Sequence, residues 1–198
     1  MYSLIRNTKD VIWNYRKESF RSLTSYFLRS LRMFLFLRGH AKLTKALKPF
    51  NVSGFTTAKI NYIYLFKYLS NSLSTKSKLK VLANHYKYFK NNFPYHALKP
   101  IFKGGISCWS DVRGANVFEI RLLSTTPYEN EGSLSFVFNV NGETIYRLAF
   151  TFSPGREFGL LDEQVIYVTR IQGVKGSLEE ISRASKFFSD STPPTLLV

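Results

Sequence analysis

The clearest chemical signal in the chain is a loop that joins a strand to a helix, Gln172-Gly173-Val174-Lys175-Gly176-Ser177. Two glycines before a helix start can leave backbone N–H groups open to a phosphate or carboxylate. The first helical turn has unpaired donors and the positive end of the helix dipole. The same glycines can equally serve only to turn the chain tightly into the helix, and a pair at this spacing is a weak motif. Under either reading the residues are the same: Gln172, Gly173, Gly176 and Ser177. Ser177 with Glu180 three positions on reads as a capping box, and Leu178, Ile181, Ala184, Ser185 and Phe188 follow as a mostly apolar stripe.

A second chemistry is electrostatic. Phe20, Leu23, Phe27, Leu31, Phe34 and Leu35 recur at helical spacing with Arg16, Arg21, Arg29, Arg32 and Arg38 among them, a basic amphipathic helix expected to end near Gly39. Such a helix either packs on its own domain or lies in an anionic membrane surface with arginines at the headgroups. Arg21, Arg29, Arg32 and Arg38 are the residues that would meet that surface. Other candidates are sparse. Cys108, the single cysteine, excludes an internal disulfide, fits a reducing compartment and reads as packing beside Trp109. His40, His85 and His96 lack metal-ligand spacing, so no metal site is expected; His85 reads as a hydrogen-bonded helix-face residue. Glu119, Glu129 and Glu131 are the carboxylates near the first strands, and none is visibly paired as a general base.

The elements that must position these residues can be read from hydrophobic periodicity. Leu134, Phe136, Phe138 and Val140 alternate with smaller or polar residues, as do Tyr146, Leu148, Phe150 and Phe152, the period of half-buried strands. Between them stands Asn141-Gly142. A three-residue loop Val140-Asn141-Gly142 is expected, pairing Phe136 with Tyr146 and Leu134 with Leu148, because a plain two-residue turn would set Phe136 opposite Arg147. Val117 to Leu123 reads as the first strand. Val165 to Ile171, apolar on both faces, reads as an interior strand. Before the sheet, Leu43 and Leu47 precede a break at Pro49, Asn71 to Lys78 is a polar link, and a helix from about Lys78 to Asn91 carries Leu82, His85, Tyr86 and Phe89 on one face.

Charge divides the chain unequally. Up to Ser110 there are 20 Lys and Arg against 2 Asp and Glu; from Asp111 onward there are 8 against 11. The basic half is the expected contact with something anionic, a lipid surface before nucleic acid, since no nucleic-acid-binding pattern accompanies its tyrosines and lysines. Aromatic residues at 16% argue for a packed core. The most apolar run, Met33 to Leu37, is far short of a membrane span, so a cytoplasmic chain, peripheral at the inner membrane, is expected. The organisation expected is α+β: a basic helical region over 1–92, a junction over 93–112, and a mixed α/β domain over 113–198 built on a mainly antiparallel sheet with a strand-loop-helix unit.

Several short stretches together resemble the VirK/YbjX family of Gram-negative bacterial proteins: Asn84-His85-Tyr86, Glu131-Gly132 opening a strand, Ile145-Tyr146-Arg147-Leu148, Arg170-Ile171-Gln172-Gly173 and Pro194-Thr195-Leu196-Leu197. The resemblance runs from about residue 40 to the end. It implies a role in virulence, envelope remodelling, envelope stress or antimicrobial-peptide resistance, with an envelope-modifying protein as a partner. It also implies a truncated chain, because members continue past the equivalent of Leu197. The order of elements is, besides, similar to the core of the GNAT acyltransferases, where a loop before a helix holds the pyrophosphate of acyl-CoA. That likeness implies acyl-CoA as cofactor, acyl transfer as the reaction if there is one, and a further strand at Thr195 to Val198. It departs from the GNAT loop in that, counted from Arg170, Gly176 falls one residue late.

Overall fold

A computed structural model of the chain describes residues 34–50, 60–65, 68–125, 131–189 and 191–198. Helix α1, Leu37–Leu47, buries His40, Leu43 and Leu47 on one stripe and passes through a short 3-10 turn, Lys48–Phe50. Gly39 lies inside this helix and does not end it. A Cβ there would come within 2.5 Å of the Leu79 side chain, so the glycine marks a close helix crossing. Helix α2, Thr75–Asn92, starts earlier than its polar opening suggests. Ser74 accepts a hydrogen bond from the Ser77 amide at 3.1 Å, and this cap lets the Ser/Lys-rich stretch become the first helical turn. Pro94 ends α2 by disfavouring helical backbone at Phe93. Helix α3, Tyr95–Lys103, follows at once despite Pro100, and the glycine pair Gly104-Gly105 leads out of it.

Five strands then form one antiparallel meander: β1 Ile106–Arg113, β2 Asn116–Ser124, β3 Leu134–Val140, β4 Glu143–Ser153 and β5 Val165–Gly173. The 93–112 stretch is thus a helix and a strand. The β3–β4 register differs from expectation. Val140 and Glu143 flank a two-residue Asn141-Gly142 turn, and a shift at Ile145 then sets Phe138 opposite Tyr146 and Phe136 opposite Leu148. The bulge does what the longer loop was expected to do: it brings both apolar sets onto one face. Val165 to Ile171 is not an interior strand. β5 is the last in the order, and Ile166, Val168 and Ile171 on it are 61%, 43% and 48% exposed.

The interior strands are β2, β3 and β4, and of these β3 and β4 bury residues on both faces. One face carries Phe118, Phe136, Phe138, Phe150 and Phe152. Against it pack the rings of His85, Tyr88 and Phe93 at Phe152, and Phe188 at Phe118 and Phe138. The other face buries Ser135, Val137, Ala149 and Thr151. Tyr68, wholly buried, meets Ser133 at 2.5 Å and Thr151 at 3.4 Å. Helix α4, Leu178–Phe187, follows β5, and α5, Pro193–Leu197, closes the described chain. The strand expected at Thr195 to Val198 is therefore a helix through Leu197. Pro193 and Pro194 preset the helical φ of its first turn and bring no donors that a strand would need.

Candidate functional site

Among the described residues, two hollows bring chemistry-bearing residues together, and the larger of the two lies between α1 and α2. On α1, Arg38 and Lys42 are four residues apart; on α2, Lys76 and Lys80 repeat that spacing, so each helix presents a two-step cation ladder on one face. The Gly39–Leu79 crossing brings the two ladders along one groove of about 780 Å³, floored by Leu79 and Ala83 and extended by Phe34, Leu35 and Leu37. Those last three are 60%, 79% and 44% exposed. Lys80 is held by Glu157 at 3.0 Å. Burial alone would raise the Glu157 carboxyl, but hydrogen bonds from Lys80 and Ser77 and the charges of Lys80 and Arg156 outweigh it and leave it below its ordinary value. Arg38, Lys42 and Lys76 have no ion-pair partner among the described residues. Arg21, Arg29 and Arg32, with the part from Phe20 to Leu31 of the amphipathic helix expected to end near Gly39, lie outside the described residues. Arg38 is the one member of that set the structure places, and the sequence alone did not couple it to α2.

The smaller hollow, about 500 Å³, sits beside the glycine loop. Gly176 and Ser177 line it; Gln172 and Gly173 do not. A Cβ on Gly173 would meet Ile181 at 2.8 Å and Tyr146 at 3.4 Å, so this glycine admits α4 against β4. Gln172 instead accepts a hydrogen bond from Arg170 Nε at 2.9 Å. Gly176 has φ +92° in the turn that reverses the chain. Ser177 is the N-cap by position, but its backbone is not extended and its side chain makes no cap; its amide donates to the Val174 carbonyl at 3.2 Å. The capping box is therefore not formed, since a capping side chain needs an extended backbone to reach the following amides. Lys175 and Arg183 line the hollow with Glu143 and Glu180, so its charge is balanced. Asn116 and Asn141, joined at 3.0 Å, complete its polar wall.

The remaining candidates are placed apart from both hollows. Glu119 lies 3.8 Å from Arg121 and Glu131 3.0 Å from Arg170; Glu129 is outside the described residues. Cys108 is exposed on β1 at the register shift between Ser107 and Trp109, contrary to the packing role expected, and desolvation pushes its thiol up. That is the wrong direction for a nucleophile. His40 meets the Tyr64 hydroxyl at 3.3 Å through Nδ1, and burial lowers its pKa. His85 accepts a hydrogen bond from the Phe152 amide at 3.1 Å through Nδ1, and burial drives its pKa down to about 3. It is a core residue that answers a strand amide. No helix among the described residues is long and apolar enough to cross a membrane.

The model of one protein family, described as "Protein of unknown function (DUF535)", matches residues 13–189. No curated protein and no solved structure matches the chain.

Proposed function

The chain belongs to the DUF535 family, and from that premise we propose that it meets an anionic lipid surface through the groove between α1 and α2. The observation that carries this reading is one hollow that joins Arg38, Lys42, Lys76 and Lys80 to the exposed apolar Phe34, Leu35 and Leu37. A phosphate headgroup satisfies the cations, while the acyl boundary takes the apolar residues out of water. Each basic side chain held near an anionic membrane contributes about 1 kcal/mol. Arg38, Lys42 and Lys76, which have no ion-pair partner among the described residues, therefore matter more than Lys80, already engaged by Glu157. The resemblance to the VirK/YbjX family supports a place for this contact at the envelope of a Gram-negative cell, in envelope remodelling, virulence or resistance to antimicrobial peptides.

Co-sedimentation with vesicles of phosphatidylglycerol, against vesicles of phosphatidylcholine, tests the reading. Binding to the anionic vesicles only, weakened by salt and reduced several-fold in Arg38→Glu/Lys42→Glu, is the expected result. Equal binding to both vesicles, or an unaffected double variant, would sink it.

A second reading has one observation in its favour. Gly176 and Ser177 border a hollow that also holds Lys175 and Arg183, the cations that the phosphates of an acyl-CoA would need. Against it stand the acidic first turn of α4, Glu179 and Glu180, which already complements the helix dipole, and the absence of a strand at 193–197. Acyl-CoA protection of the Gly173–Glu180 amides from hydrogen exchange would favour it over the lipid surface; exchange rates that acyl-CoA leaves unchanged would remove it.

A further inference from the structure

The core face of the sheet does not stop at its covered part. Tyr146, Leu148, Phe150 and Phe152 on β4 are opposite Gly173, Ile171, Val168 and Ile166 on β5, so the apolar face runs on to the last strand. There the helices no longer cover it. Ile166, Val168 and Ile171 are 61%, 43% and 48% exposed. Alternation alone would have sent Ile171 to the face opposite Ile166 and Val168. The register shift that leaves Thr169 unpaired prevents this, and Thr169 Oγ1 donates to the Ala149 carbonyl at 3.0 Å. Among the described residues, no strand pairs with the outer edge of β5. An edge with both an unpaired ladder and an apolar face asks for a strand and a cover together.

We infer that β5 pairs antiparallel with β5 of a second copy, making one continuous ten-stranded sheet across a two-fold axis between Thr169 and Arg170. A second copy satisfies the edge in a way the residues themselves specify. With the axis there, Val168 stands opposite Ile171 of the other copy and Ile166 opposite its Gly173, so like faces meet across the bulge. Asp162 and Glu163 just precede β5 and Lys175 just follows it, so antiparallel pairing turns those two carboxylates of each copy toward the other copy's Lys175. Arg170 at the centre is held by Glu131 at 3.0 Å and by Gln172, which limits repulsion across the axis. The contact lies in the half of the chain with 8 Lys and Arg against 11 Asp and Glu. The other edge, β1, is less suited: its register shift at Cys108 and the Asp111–Arg113 pair interrupt any apolar row.

The test is sedimentation equilibrium of the full chain at micromolar concentration, with disulfide trapping to fix the register. Wild-type chain is expected at twice the chain mass, and Val168→Lys/Ile171→Lys at half that value with an unchanged circular dichroism spectrum. In a Cys108→Ser background, oxidation of a mixture of Val168→Cys and Ile171→Cys chains should yield the cross-linked pair, while neither chain alone does so in comparable amount. This arm keeps both side chains small and decides the matter if the lysine variant fails to fold. A monomeric wild-type chain overturns the inference. So does a mixture that cross-links no better than its separate components.

Discussion

His85 sits wholly buried, its ring stacked on Phe89 and Phe152 and its Nδ1 engaged by the Phe152 amide. Because Nδ1 accepts, the ring is neutral with its proton on Nε2, and desolvation holds the pKa at about 3 against the ordinary 6.5. The unfolded chain therefore binds a proton below pH 6.5 that the folded chain refuses. The stability this neutral ring confers is complete above that value and drains away as pH falls toward 3. From neutral pH down to about pH 5 the loss is roughly 2 kcal/mol for one such group. His40, also lowered by burial, acts in the same direction. Urea denaturation at the two pH values should show this drop, and His85→Gln, though less stable at neutral pH, should show a smaller one. Equal drops in both proteins would mean that His85 is not held neutral. The sequence placed His85 on a helix face and expected it to be hydrogen-bonded. Its partner, a strand amide 67 residues away, could not be read from local spacing.

Helix α2 carries half of the cation groove and the ring contacts to β4, so its start decides more than its own length. Ser74 is that start. Its side chain accepts from the Ser77 amide, and Ser74→Ala should cost about 1 kcal/mol of global stability while Ser74→Asp keeps it, since aspartate caps as well as serine. Thermal unfolding of the two variants separates these outcomes; equal losses would show that the cap is not what holds the first turn. Polar composition made residues 71–78 look like a link, although the Ser-x-x-Ser spacing was present. α3 escaped notice because Pro100 and the flanking glycines suggested a break. Its Pro100 removes one donor, yet Ala97, Leu98 and Ile101 bury enough apolar surface to hold the turn. β1 was missed for the opposite reason: most of its residues are exposed, so no apolar alternation announces it.

Across the whole molecule, the basic helices and the less basic sheet share one hydrophobic core. Phe50, Tyr86 and Phe89 from the helices and Phe118, Phe138 and Phe150 from the sheet belong to one continuous cluster of buried residues. A core shared in this way should unfold as a unit. Far-ultraviolet dichroism, which weighs the helices, and near-ultraviolet dichroism, which weighs the packed aromatics, should give the same denaturant midpoint. Two separated midpoints would mean that the helical and sheet parts are independent. The cations of α1, α2 and α3 are carried on this shared core, so these three helices are held in a fixed relation to the sheet.

Local sequence determined the α+β class, the β3–β4 hairpin, the helix over α2 and the sign of the basic half, because each follows from periodicity, turn residues or charge within a short stretch. It also pointed to Gly173 and Gly176, but not to their different uses. The order of strands was decided only in three dimensions: Val165 to Ile171 has the apolar composition of an interior strand and lies at an edge, because strand composition reports how much surface seeks cover and not which neighbour supplies it. The cation groove was likewise set by tertiary packing. Arg38 and Lys42 are 38 residues before Lys76 and Lys80 in sequence, and only the missing side chain at Gly39, filled by Leu79, brings the two ladders together.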